Sequence, residues 1–211
     1  MKKNIYKNRL SRLYEDSRNS KVYLKRYSGY LTEILSGLDY SMITKVVGCL
    51  LKARNNSATI FFLGNGGSAA TASHFAQDLG EVGRKSGAKV FRTICLNESA
   101  PSITALANDY GYDKIFTGQL SNLFKKGDIL VAISASGNSP NVVEAVKLAK
   151  RLKGITIGLV GFDGGKLASI CDYLIWINTP KGDYGPVEDM HLILDHMITS
   201  YIMMKDIFST K

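Results

Sequence analysis

Ala58-Thr59-Ile60-Phe61-Phe62-Leu63-Gly64-Asn65-Gly66-Gly67-Ser68 is the stretch that decides the fold. Its first six residues are almost continuously apolar, which predicts a strand buried on both faces. The glycines that follow let the backbone turn tightly and approach a ligand, and helical spacing begins near Ala69. The same grammar recurs downstream. Ile129-Leu130-Val131-Ala132-Ile133 runs through Ser134-Ala135-Ser136-Gly137-Asn138-Ser139 into a helix near Asn141. At such a junction the free N–H groups and the positive end of the helix dipole face whatever sits above the turn. Serine hydroxyls add donors, so phosphate is the expected guest. Neither turn fits the dinucleotide fingerprint or the P-loop with its Gly-Lys-Ser/Thr, and a monophosphate is the better match.

Working outward, apolar runs predict strands at 58–63, 89–96, 128–133, 156–160 and 173–177, all expected to be buried on both faces of a parallel sheet. Helices at 69–79, 141–151 and 166–171 supply right-handed crossovers, giving a doubly wound, five-stranded parallel α/β fold flanked by helices. Ligands in this architecture bind outside the carboxyl ends of the strands, at the switch point, where both turns lie. Upstream, apolar residues from Leu10 to Leu51 recur at helical spacing with a break near 37–41, a helical N-terminal extension suited to packing on the core or on a partner subunit. A long final helix is predicted over 187–205, after Gly182-Asp183-Tyr184-Gly185-Pro186.

At 211 residues and 45% hydrophobic composition the chain can bury one sizeable core. Its net charge of +9 favours acidic partners, and much of the excess (Lys2, Lys3, Lys7, Arg9, Arg12, Arg18, Lys21, Lys25, Arg26) reads as a solvated helix face. These charges form no interleaved stacking motif and no recognised DNA-binding pattern, which argues against nucleic acid. Cys49, Cys95 and Cys171 are odd in number and sit in apolar runs, as buried free thiols do in a reducing cytoplasm. No apolar run reaches the roughly 18 residues of a membrane span, so the expectation is a cytoplasmic protein with no membrane partner.

Two groups of residues carry chemistry. His74 and Asp78, at i and i+4, share one helix face. Glu188, Asp189, His191, Asp195 and His196 crowd an otherwise apolar segment of the last helix (Met190, Leu192, Ile193, Leu194, Met197, Ile198). Buried imidazoles and carboxylates are costly unless paired, so a functional reading is favoured.

Together these residues resemble the sugar isomerase (SIS) domain superfamily, and within it the phosphoheptose isomerases. The resemblance rests on 64–76, on Asn108-Asp109-Tyr110-Gly111-Tyr112-Asp113-Lys114-Ile115-Phe116, on 133–139 and on the histidine-bearing final helix. It implies a flavodoxin-like SIS fold, with 57–211 as the phosphosugar-binding domain and 1–56 as helices of the same unit serving oligomerisation. It further implies isomerisation of sedoheptulose 7-phosphate to D-glycero-manno-heptose 7-phosphate, toward the heptose of bacterial lipopolysaccharide or capsule, in a homotetramer with sites at subunit interfaces. Position by position, Asn65, Gly66, Gly67, Ser68, Asp109, Ser134, Ala135, Ser136, Ser139 and Glu188 would bind the substrate. The family's metal and acid/base set falls on His74, Asp78, Glu188 and His196, with zinc as the implied metal and His196, Asp78 and Glu188 as the catalytic groups.

Asp78 stands where the family has Glu, and Glu188 where it has Gln. The family's acidic residue three positions earlier falls on Gly185, with Asp183 as a nearby substitute. Glu188 and His196 are eight residues apart, about 12 Å of helix rise, whereas Asp189 and His196 face the same way. An isomerase for another sugar phosphate, and a non-catalytic binding or regulatory module of the same fold, remain as competing readings.

Overall fold

The computed structural model describes residues 8–209; Lys2, Lys3 and Lys7 of the basic segment lie outside them. Three helices come first, α1 (Arg9–Glu15), α2 (Ser20–Ser36) and α3 (Tyr40–Asn55). Asn8, Asn19 and Asp39 cap them, each side chain accepting from a backbone amide of the first turn. The predicted break at 37–41 is therefore a Gly37 stop followed by an Asp39 start.

Five parallel strands follow, β1 (Thr59–Leu63), β2 (Arg92–Cys95), β3 (Ile129–Ser134), β4 (Ile155–Gly161) and β5 (Tyr173–Ile177), in the order β2-β1-β3-β4-β5. The chain leaves β1 for β2 on one side and returns to β3 on the other, so the switch point lies between the carboxyl ends of β1 and β3. The crossovers are α4 (Gly67–Ser86), α5 (Ala100–Tyr110), α6 (Thr117–Leu123), α7 (Pro140–Arg151) and α8 (Leu167–Ile170), and α9 (Tyr184–Ser209) closes the fold.

Side chains alternate across the sheet with the period of two that a strand imposes. Ile60, Phe62, Ile129, Val131, Ile157 and Leu159 meet α3, α4 and α9 in one apolar layer. Phe61, Leu63, Leu130, Ala132 and Val160 meet α6, α7 and α8 in the other. α3 contributes Val46 and Leu50 to the first layer, so the N-terminal helices share the core of the sheet. The polar ties agree: Tyr30 Oη donates to Asp183 at 2.9 Å and Tyr27 Oη to Asp189 at 2.6 Å.

Some expectations need correction. Only the three inner strands are buried on both faces. β2 and β5 are edges, where Ile94 and Trp176 are exposed, and β2 shortens to four residues. α4 outruns its predicted end to stop at Gly87, whose positive φ of 73° terminates the helix. The segment between β2 and β3 forms α5 and α6; α5 fully buries no residue and packs only a short stripe, Ile103, Leu106 and Ala107, on the second layer, with Ser99 and Pro101 marking its start. Of the three free cysteines only Cys49 is buried; desolvation still pushes the half-buried Cys95 and Cys171 up to about 11 and about 12, leaving both as thiols. No single described helix is long and apolar enough to cross a membrane.

One ion pair is enclosed in this architecture. Arg54 of α3 holds Asp206 of α9 through two hydrogen bonds, at 2.5 and 2.9 Å, and its guanidinium lies over the Phe91 ring. Breaking a buried pair strands the remaining charge. Asp206→Asn is expected to destabilise the protein by about 3 kcal/mol or more in urea unfolding; an unchanged midpoint and slope would show that the pair is solvated.

Candidate active site

The two glycine/serine turns converge at the switch point. Asn65 and Asn141, one from each, exchange side-chain hydrogen bonds of 2.9 Å in both directions. Tyr112 Oη donates a third bond to Asn65 Oδ1 at 3.1 Å. Asn65, Ser68, Ser134, Ala135, Ser136 and Ser139 line one cavity together with Tyr184 and Glu188. Ser134 and Ser139 hydroxyls stand 3.5 Å apart within it.

Neither turn supplies a side-chain cap to the helix it opens. α2, α3 and α5 begin with a side chain bonded to a first-turn amide, whereas α4 starts at Gly66 and α7 at Ser139 with no side-chain cap. Val142 N is bonded to Asn141 Oδ1 and Ala69 N to the Asn65 and Gly66 carbonyls, which leaves the amides of Gly67, Ser68 and Asn141 to face a ligand. Gly66 takes φ of 55°, a conformation only glycine adopts cheaply. Gly137 (φ 60°) passes so close to the Gly164 carbonyl that any Cβ would collide with it. Asn138 is spent on this second loop, accepting from Lys166 N and donating to Ser136 O.

α4 and α9 lie side by side and parallel. Gly67 faces Glu188 so closely that a Cβ would overlap the carboxylate, His74 faces His196, and Ser86 Oγ reaches Asp206. Seven residues separate Gly67 from His74 and Glu188 from Asp195, two turns in each helix, so one face of α4 meets one face of α9 at two levels about 10.5 Å apart. Glu188 belongs to the upper level, beside the serine cavity. Burial and the neighbouring Asp189 raise its pKa.

The lower level holds four groups. Ligand atoms of His74, Asp78, Asp195 and His196 all lie within 4.8 Å of one another. His74 Nε2 is 3.4 Å from His196 Nε2 and 3.4 Å from Asp78 Oδ2. Asp195 is fully buried, and neither carboxylate oxygen has a hydrogen-bond partner. Desolvation, with Asp78 opposite, pushes its pKa up to about 7. Two imidazoles and two carboxylates within one ion's reach form a donor set that suits zinc.

The metal set carried over by resemblance is therefore split: His74, Asp78 and His196 come together, and Glu188 sits two turns away. Asp189, the alternative on the same helix, is engaged by Tyr27. Asp183 is fully buried and bound by Tyr30 Oη and Leu10 N, so it does not replace the acid missing at Gly185. Asp109 is exposed at the end of α5 and does not line the serine cavity, although Tyr112, just beyond it, reaches Asn65. His191 is fully buried with burial holding its pKa down to about 4, a neutral core imidazole. Asp195, Tyr112 and Tyr184 acquire places that sequence reading did not assign them. For Asp195 the signal was present, an acid inside an apolar helical run; for the tyrosines there was none.

The SIS domain profile matches residues 22–161. A phosphoheptose isomerase of Aliarcobacter butzleri is 44% identical over 148 residues, 70% of this chain and 76% of that protein. One of Helicobacter hepaticus is 38% identical over 76% of this chain and 80% of its own length. Among solved structures, the phosphoheptose isomerase of Neisseria gonorrhoeae superposes with a TM-score of 0.74 at 32% identity, covering 85% of this chain and 97% of that one. The Francisella tularensis enzyme gives 0.77 at 25% identity, covering 87% and 98%. The five-stranded parallel sheet and its flanking helices are the fold of these structures, and the chain belongs to the SIS domain family, among its phosphoheptose isomerases.

Proposed function

We propose that this protein is an aldose–ketose isomerase that converts sedoheptulose 7-phosphate to D-glycero-manno-heptose 7-phosphate. One observation carries the reading: an anion cradle built from two uncapped helix N-termini and four serines stands one seam level above a cluster of two imidazoles and two carboxylates. Relatives named phosphoheptose isomerase support it. The spacing of about 10.5 Å suits an extended sugar phosphate, its phosphate among Ser68, Ser134, Ser136 and Ser139 and its carbonyl end at His74 and His196. Gly66, Gly67 and Ala135 present backbone to the phosphate, and the remaining Asn65 N–H is free for a sugar hydroxyl.

The chemistry moves one proton between C1 and C2. A base removes the proton from C1 while the C2 carbonyl oxygen is protonated, giving an enediol; loss of the O1 proton and return of a proton to C2 yields the aldehyde. His196 and Asp78 are the groups placed to carry these protons, with His74 orienting His196 from 3.4 Å. Zinc, held by His74, Asp78 and His196, would polarise the carbonyl and stabilise the developing oxyanion. Glu188, at the cradle, meets the phosphate-bearing end of the sugar. With Gly185 and the buried Asp183 offering no acid to that end, discrimination among sugar phosphates rests on fewer contacts, and a substrate panel tests whether related sugars are also turned over.

The same reading places the protein in the cytoplasm as a homotetramer with sites at subunit interfaces. Exposed Leu24, Tyr40 and Tyr201 on α2, α3 and α9 supply apolar surface for association. Light scattering is expected to give four chains per particle; a monomer would remove this part of the reading.

Two further outcomes are expected. His196→Ala should abolish heptulose phosphate turnover while leaving the melting temperature near that of the parent, and a chelator should remove activity that zinc restores; a fully active variant would overturn the assignment. Glu188→Gln removes the sole charged side chain lining the cradle and should tighten inorganic phosphate binding about fivefold, in line with roughly 1 kcal/mol for a solvent-screened contact between like charges. Weaker phosphate binding in calorimetry would show that Glu188 donates to the anion instead.

A further inference from the structure

The geometry points to Asp195 as a metal ligand, completing a set of His74, Asp78, Asp195 and His196, with Glu188 remaining at the anion cradle and outside the ion's coordination. The inference deepens the isomerase reading and rests on it for the presence of a metal. It departs from the ligand set that family resemblance assigns, in which the residue at 188 reaches the ion.

Asp195 has no exposed surface, and both of its oxygens lack a hydrogen-bond partner among the described residues. A buried carboxylate in that condition is expensive unless it is paired, protonated or bound to a cation. Other carboxylates on and beside α9 are already engaged: Asp189 by Tyr27, Asp183 by Tyr30, and Asp206 by Arg54. Asp195 alone faces a space shared with Asp78 and two imidazoles, all within 4.8 Å. Lys85 lines the adjoining cavity with Asp78 and His196, yet among the described residues the ion pair of Asp78 is with His74, so the two acids repel each other unless a cation lies between them.

Distances agree with that cation being tetrahedral zinc. Ligands at about 2.0–2.1 Å from zinc lie about 3.3–3.4 Å from one another along the edge of a tetrahedron; His74 stands 3.4 Å from both His196 and Asp78, and a carboxylate oxygen of Asp195 lies within 4.8 Å of all three ligand atoms. Charge agrees as well, because two carboxylates with two neutral imidazoles balance one divalent ion. Within one chain the helix holds Glu188 away from the ion. It shares the face of Asp195 but lies seven residues earlier, about 10.5 Å up the seam, where it presses on Gly67.

The test compares the isosteric variants Asp195→Asn and Glu188→Gln in the full-length protein, using zinc competition against a chromophoric chelator, the zinc-induced rise in melting temperature, and the visible spectrum of the cobalt-substituted form. The parent is expected to bind one zinc per chain. Glu188→Gln should match it in affinity and cobalt spectrum. Asp195→Asn should lose more than about tenfold in affinity, the lower end of what losing even an outer-sphere partner costs, and should change the cobalt spectrum. Metal-free Asp195→Asn should melt at or above the metal-free parent, since an unpaired buried carboxylate has been removed, which separates ligand loss from misfolding. Unchanged zinc affinity in Asp195→Asn, loss in Glu188→Gln, or a parent that binds no zinc would each overturn the inference. Zinc bound through Asp195 in a protein that turns over no heptulose phosphate would uphold it and remove the isomerase reading.

Discussion

The parallel packing of α4 against α9 is the constraint on which the site depends. No other pair of elements makes a more extensive contact. The two helices arrive from different ends of the sequence, yet both contribute to the apolar layer on one face of the sheet, and Gly67 lets the upper end of the seam close to side-chain contact with Glu188. Because 67 and 74 repeat on one helix and 188 and 195 on the other at the same interval, the seam divides into an upper level that serves an anion and a lower level that gathers imidazole and carboxylate.

The second constraint is the switch point. It places β1 and β3 beside each other with their turns at the same edge, and the reciprocal Asn65–Asn141 bonds hold the turns in register. α4 and α7 start without a side-chain cap, and their dipoles point toward the serine-lined cavity. Among the described residues, no lysine or arginine lines this cavity. The basic excess of the chain lies instead on other surfaces, and the one charged group at the cradle is an acid.

Much of this was legible in the residues. Near-continuous apolar runs foretell parallel strands because a sheet covered on both faces leaves no polar side, and glycine with serine after a strand foretells a turn that faces an anion. His74 and Asp78 share a helix face at any tertiary arrangement. Edge strands were less legible: β5 resembles an inner strand in composition, Arg92 alone marks β2 as different, and the exposure of both follows from strand order, which no local pattern encodes. α5 was hard to read because its apolar stripe is short: Ile103, Leu106 and Ala107 pack half-buried against the second layer and mark barely one turn.

The sequence by itself determined the α/β class, the two anion-binding turns and the supply of histidines and acids, because these follow from periodicities of two and 3.6 residues and from the chemistry of glycine and serine. Only the tertiary structure decided how the acids divide. Asp183, Asp189 and Asp206 serve the joints between the N-terminal helices and α9, Glu188 faces the cradle, and Asp195 enters the imidazole cluster. Spacing along one helix says which residues share a face, but the partner each face meets is chosen by packing against a second helix more than a hundred residues away.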